Sequence, residues 1–209
     1  MLIPISILAV FFSASIFLAL APGPDNIFVF TQSSIRGRLA GWIITLGLCT
    51  GLIGHTLIVA TGIAVIFQVS LIAFTILKLA GSAYLLYLAF LAFRASVTTL
   101  NLSSNGITSL FQLYMRGIIM NVTNPKISIF FLSFLPQFAD PNRGSIMLQI
   151  LSLGLVFIIS AMLVFGMISI FAGFLGNRLQ HSSIAQIIMN RIAGTVYAAL
   201  AIKLTSLEM

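Results

Sequence analysis

Six apolar stretches, each about long enough to cross the hydrocarbon core of a bilayer, follow one another along this chain with little polar sequence between them. The first, Leu2 to Leu20, has 19 residues and no charge. The others run from Ala40 to Val69, Leu71 to Phe93, Gly117 to Ala139, Ile146 to Leu175 and Ile184 to Leu204. A water-soluble fold has no use for so many: 60% of the 209 residues are hydrophobic and 6% are charged, against roughly a quarter charged in ordinary globular domains. The expectation is an all-α integral membrane protein of about six transmembrane helices, a single domain in contact with the lipid bilayer, with no room for a separate soluble enzyme domain.

The net charge of +7 does not point to nucleic acid. The basic residues stand singly or in pairs between apolar segments, as membrane orientation requires, and form no stripe able to follow phosphates. Alternating the loops puts Arg36, Arg38, Arg94, Arg116 and Arg178 on one side and Arg143, offset by Asp140, on the other, so both termini are expected outside. Ala19-Leu20-Ala21 imitates a signal-peptidase site. No Lys or Arg precedes the apolar run and Pro22 follows it, so a retained first helix is the expectation. The lone Cys49 excludes an internal disulfide and a CxxC pair, and His55 and His181 cannot make a metal site by themselves; no metal and no cofactor is expected. Glu208 completes the acidic set with Asp25 and Asp140.

The polar residues 94–116 divide the chain into a first half, about 1–93, and a second, about 117–209. The end of this linker, with Ile107, Leu110, Phe111 and Tyr114 at helical spacing, reads equally as an interfacial helix or as an irregular connector before the fourth segment enters at Gly117. The halves share a motif: Lys78-Leu79-Ala80-Gly81-Ser82-Ala83-Tyr84 in the third segment aligns with Arg191-Ile192-Ala193-Gly194-Thr195-Val196-Tyr197 in the sixth, three positions identical and four conservative. Pro24 and Pro125 also interrupt the first segment of each half. Three spans per half then place two repeats in opposite membrane orientations.

Backbone freed inside a membrane must be sheltered by protein or face a watery cavity, so two proline breaks at matching places point to a binding site more than to simple kinks. Asn124-Pro125 reads as an N-cap followed by Pro at the first helical position, and Gly23-Pro24 likewise. Lys126 then falls in the positive first turn of its half-helix, where a bound anion such as a substrate carboxylate would relieve it. Asp25 holds the matching place in the first half and needs Lys126, a substrate ammonium or a proton as partner. Pro22, Gly23, Pro24, Asp25, Asn26, Asn121, Asn124, Pro125 and Lys126 are therefore the candidate substrate-binding residues, with Thr123 and Gln137 as further polar groups. For gating or coupling the candidates are Asp25, His55, Lys78, Tyr84, Arg191 and Tyr197. Interfacial anchoring competes for Lys78, Arg191 and the tyrosines, and a plain interhelical hydrogen bond for His55. Gly47 and Gly51 make a GxxxG step, and Gly81 and Gly194 read as packing positions.

Ala21-Pro22-Gly23-Pro24-Asp25-Asn26, Asn121-Val122-Thr123-Asn124-Pro125-Lys126 leading into Phe130-Phe131 and Pro136-Gln137-Phe138, and the Gly81 to Tyr84 element together resemble the LysE/RhtB amino-acid exporter family over nearly the whole chain. The resemblance implies a bacterial inner-membrane secondary exporter of amino acids or close derivatives, driven by protons and not an enzyme, and it allows a homodimer. The scarcity of acidic residues in the membrane favours a neutral, hydroxylated or aliphatic amino acid over lysine or arginine, and the expected substrate is threonine- or homoserine-like. Export of another small solute or a metal ion, and a scaffold that transports nothing, remain alternatives.

Overall fold

A computed structural model describes residues 3–69, 71–95, 109–179 and 183–206. Ile107, His181 and Glu208, and the side chain of Arg178, lie outside the described residues. Every regular element described is helical: α1 (Ile5–Leu20), α2 (Pro24–Arg36), α3 (Arg38–Val69), α4 (Leu71–Arg94), α5 (Leu110–Val122), α6 (Pro125–Ile129), α7 (Ile146–Leu179) and α8 (Ser183–Ser206). After α6 the chain continues through a π-helical turn, Phe130–Phe134, and a 3-10 turn, Leu135–Phe138.

The apolar runs set these lengths. Among the described residues α3, α4 and α7 each hold a segment long and apolar enough to cross a membrane, and α1 with α2 and α5 with the chain to Phe138 each make one more, bent by 62° and 49°. The sixth segment, α8, has 24 residues, which at about 1.5 Å per residue reach roughly 36 Å. Exposed aliphatic and aromatic side chains such as Ile58, Ile72, Phe111, Ile184 and Ile202 cover the outside, the surface a lipid solvent accepts.

The boundary expected at Gly117 is corrected. Ser109 accepts from the backbone N–H of Gln112 at 3.2 Å while the Gln112 side chain accepts from Ser109 N at 3.3 Å, a reciprocal cap that starts α5 at Leu110. Leu110, Phe111 and Tyr114 thus belong to the fourth segment, neither to a connector nor to a separate interfacial helix.

Close approach organises the interior. α3 packs most extensively on α5 and α7, and α4 on α8. On α3, a Cβ at Gly47 would strike the backbone of Tyr114, and one at Gly51 would meet the Asn121 side chain 2.6 Å away, so the GxxxG step is the surface that receives α5. A Cβ at Gly166 would stand 2.5 Å from the ring of Trp42, the chain's one tryptophan, which packs against α7 there. Gly81 accommodates the side chain of Ser133 and Gly194 the ring of Phe93, as packing positions should. Gly37, at φ 83, takes the left-handed conformation that turns α2 straight into α3, its N–H donating to Ser33 O at 2.9 Å.

Arg36, Arg38 and Arg94 lie at helix ends on one side of the bundle. Opposite lies the short loop after Phe138, where Arg143 pairs with Asp140 at 2.9 Å. The backbone N–H of Asn142, then Arg143, hold the Asp140 carboxyl below the usual carboxylate range.

Candidate functional site

The two proline breaks meet inside the bundle, and each leaves helix ends to be satisfied. At the first, α1 stops before Pro22 and α2 restarts with Gly23 as N-cap and Pro24 as its first residue. At the second, Asn124 caps α6, its side-chain oxygen accepting from Lys126 N at 3.0 Å, and Pro125 follows. Both restarts take the form expected of Gly-Pro and Asn-Pro.

Lys126 behaves differently from the expectation that it waits at its own helix end. Its Nζ crosses to the other break and donates to Ala21 O at 3.1 Å and Leu18 O at 3.3 Å. These carbonyls end α1, the negative pole of that half-helix, so the cation is placed where the dipole stabilises it. Asn26 completes the set, donating to Ala19 O at 2.7 Å. The crossing passes close to Gly23: a Cβ there would sit 3.1 Å from Nζ, so the lysine would have to give by a few tenths of an ångström. An ammonium has three N–H donors, and these bonds use two.

Asp25, in the first turn of α2, is 1% exposed and lies within the field of Lys126, with the side chains of Asn124 and Asn121 turned toward it. No ion pair joins it to Lys126, and no hydrogen bond of proper geometry closes: Asp25 Oδ1, Asn124 Nδ2, Asn121 Oδ1 and Asn26 Oδ1 are all buried without a partner among the described residues. One carboxyl oxygen and three amide atoms left open at the two breaks, inside a membrane protein, are an unusual concentration.

Above this cluster lies a cavity of about 310 Å³. Its floor is Pro22, Gly23 and Pro24 from one break and Asn124, Pro125 and Lys126 from the other. One wall is the α4 face Tyr84, Leu88, Leu91, Ala92 and Ala95; the other is the α8 face Asn190, Ala193 and Tyr197. Ala95, just past the end of α4, also lines the cavity, which therefore reaches toward the arginine-bearing end of that helix.

Of the candidates, Pro22, Gly23, Pro24, Asn124, Pro125 and Lys126 thus share one cavity with Tyr84 and Tyr197. Asp25, Asn26 and Asn121 are buried beneath and do not line it. His55 faces away, its Nε2 3.3 Å from Asn121 O and its ring against Phe131, which is the interhelical hydrogen bond of the plainer expectation. Lys78 is buried outside the cavity lining and Arg191 is exposed outside it. Thr123 bonds its own helix at Ile119 O, and Gln137 bonds Ser133 O. Asn190 is not among the sequence candidates; its spacing with Ala193 and Tyr197 on one helical face is the signal that marks it.

A second cavity of about 330 Å³ opens on the opposite side, between the start of α1 (Ser6, Ile7, Val10), Gln137 to Asp140, Arg143 and Lys203. The chain from Asn124 to Ala139 runs from one cavity to the other, and its buried Phe130, Phe134 and Phe138 stack in sequence at 4.8 and 5.0 Å, with Phe11 5.0 Å from Phe138. Two cavities toward opposite ends of the bundle, with a dense run of aromatic rings between them and broken helices lining one, fit the architecture of a membrane transporter.

The sequence pattern of the LysE type translocator family matches residues 16–207, and the chain belongs to that family. Membership makes it a translocator, a membrane protein that moves a solute. Among relatives, it is 37% identical over 155 residues, 72% of each chain, to a homoserine/homoserine lactone efflux protein of Salmonella typhi. It is 31% identical over 134 residues, 62% of this chain and 63% of the other, to a leucine efflux protein of Salmonella choleraesuis (strain SC-B67). A membrane protein of Bacillus subtilis (strain 168), YrhP, is 29% identical over 195 residues, 89% of this chain and 92% of its own. No solved structure matches the chain.

Proposed function

We propose that this protein exports neutral, threonine- or homoserine-like amino acids or their close derivatives from a bacterial cytoplasm across the inner membrane, by alternating access of two inverted three-helix repeats. The observation that carries the reading is the Lys126 ammonium at the floor of a 310 Å³ cavity built where two broken helices meet. The third N–H of that ammonium receives the substrate carboxylate, and the helix start at Asn124-Pro125 adds its positive end. The size suits one amino acid, since small-molecule pockets begin at roughly 300 Å³. Relatives named for homoserine, homoserine lactone and leucine efflux support an uncharged substrate side chain.

Asp25 is the proposed proton site. It is sealed from the cavity by the residues of its own break, has an open carboxyl oxygen, and sits in the field of Lys126, so its protonation is coupled to whatever neutralises the lysine. The arginine-bearing side, toward which the cavity reaches, is cytoplasmic on the orientation rule. The test is efflux of labelled threonine from proteoliposomes under an imposed pH gradient. Asp25→Asn should uncouple efflux from the gradient, and Lys126→Met should abolish it with insertion intact. Unchanged, gradient-driven efflux in both variants overturns the proposal.

A further inference from the structure

We infer that Asn190, with the hydroxyls of Tyr84 and Tyr197, forms the part of the cavity that reads the substrate's side chain, and that it selects a side-chain oxygen over a methyl group. The inference rests on the proposed carboxylate site at Lys126, which anchors one end of the molecule and leaves the other end toward α4 and α8. The polar and apolar lining of those walls is sharply divided. Leu88, Leu91, Ala92 and Ala193 give an aliphatic sleeve, and among the described residues the side-chain hydrogen-bonding groups in it are Asn190, Tyr84 and Tyr197.

None of these three makes a hydrogen bond to any described residue, and each belongs to a helix face already committed to the cavity. Asn190 and Tyr197 are seven residues apart on α8, two turns on the same stripe, with the small Ala193 between them leaving room for a ligand. Tyr197 is 3% exposed, so the water it can keep is what the cavity holds. A ligand that fills the cavity covers the half-buried Asn190 amide and the Tyr197 phenol; a side-chain hydroxyl or lactone carbonyl then gives them partners, whereas a methyl group in the same place leaves them unsatisfied. That asymmetry is how a site rejects an isostere lacking the polar atom. Asn190 also carries both a donor and an acceptor, so it accepts the hydroxyl proton of one substrate or donates to the carbonyl of another. Among the described residues of this sleeve a charged side chain finds no counter-charge.

Threonine and valine differ by a hydroxyl against a methyl and are the direct probe. The full-length protein and its variants are reconstituted, vesicles are loaded with both amino acids under different labels, and the ratio of their efflux rates is read. The unaltered protein should prefer threonine. Asn190→Leu should lower the threonine-to-valine ratio by about tenfold, the loss of one net hydrogen bond, and Asn190→Ala and Tyr197→Phe by less. A purely structural role for Asn190 would slow both amino acids together and leave the ratio alone. The inference is overturned if the unaltered protein shows no preference, or if the ratio is the same in the three variants while Lys126→Met stops both fluxes. Persistence of both fluxes in Lys126→Met instead removes the carboxylate site itself.

Discussion

The two breaks look alike in sequence and are finished in opposite ways. The second closes itself: Asn124 caps the half-helix that begins with Pro125 using its own side chain, two residues away from the N–H it satisfies. The first is closed by a residue 105 or more positions distant, since the carbonyls of Leu18 and Ala21 are answered by Lys126, with Asn26 serving Ala19. The second break is therefore a local feature and the first depends on its partner. Helix α1 ends cleanly only while the two halves are docked, and separating them strands both an ammonium and two carbonyl groups in a low-dielectric interior.

Substitutions can break this asymmetry, and they rank by how much of the crossing they remove. Lys126→Met leaves two buried carbonyls open at about 1–3 kcal/mol each and takes away the proposed carboxylate site, so efflux should fall to background and the melting temperature in detergent should drop clearly. Gly23→Ala tests the crossing alone. The backbone at φ −164 suits alanine, but its methyl would press on Nζ at 3.1 Å, and efflux should fall about tenfold with helix content unchanged by circular dichroism. Asn124→Ala attacks the self-contained break and should cost about 1 kcal/mol in stability, the ordinary value of an N-cap, with a smaller drop in efflux than either change at the crossing. A larger effect at Asn124 than at Gly23 would reverse the contrast drawn between the breaks. Least of all, Arg143→Ala removes an exposed pair at the second cavity, and both melting temperature and efflux should stay within error of the unaltered protein.

What the residues themselves disclosed follows the range of the interactions. Six apolar runs and two proline interruptions are local patterns, and helices form over each of them, the fourth starting seven residues early, at Leu110 and not Gly117, with Asn-Pro and Gly-Pro acting as helix starts. The start of α5 was equally local, since Ser109 and Gln112 stand at capping-box spacing, but the polar linker around them masked it. The reach of Lys126 was not legible. Its own helix end suggested an unfavourable dipole, and nothing nearby in sequence says that the favourable pole of α1 lies beside it. The π-helical turn at Phe130–Phe134 was hidden for a related reason: five residues with four buried and three aromatic rings read as ordinary apolar helix until their packing against Phe11 and Phe157 is known.

The seating of Trp42 on Gly166 gives the molecule an intrinsic optical gauge. Indole emission shifts with the polarity and rigidity around the ring, and this ring rests on the backbone of α7 from a position on α3, the pair with the broadest mutual surface in the bundle. With no second indole to blur the signal, any sliding of one helix along the other registers directly in the colour of the unlabelled protein's fluorescence.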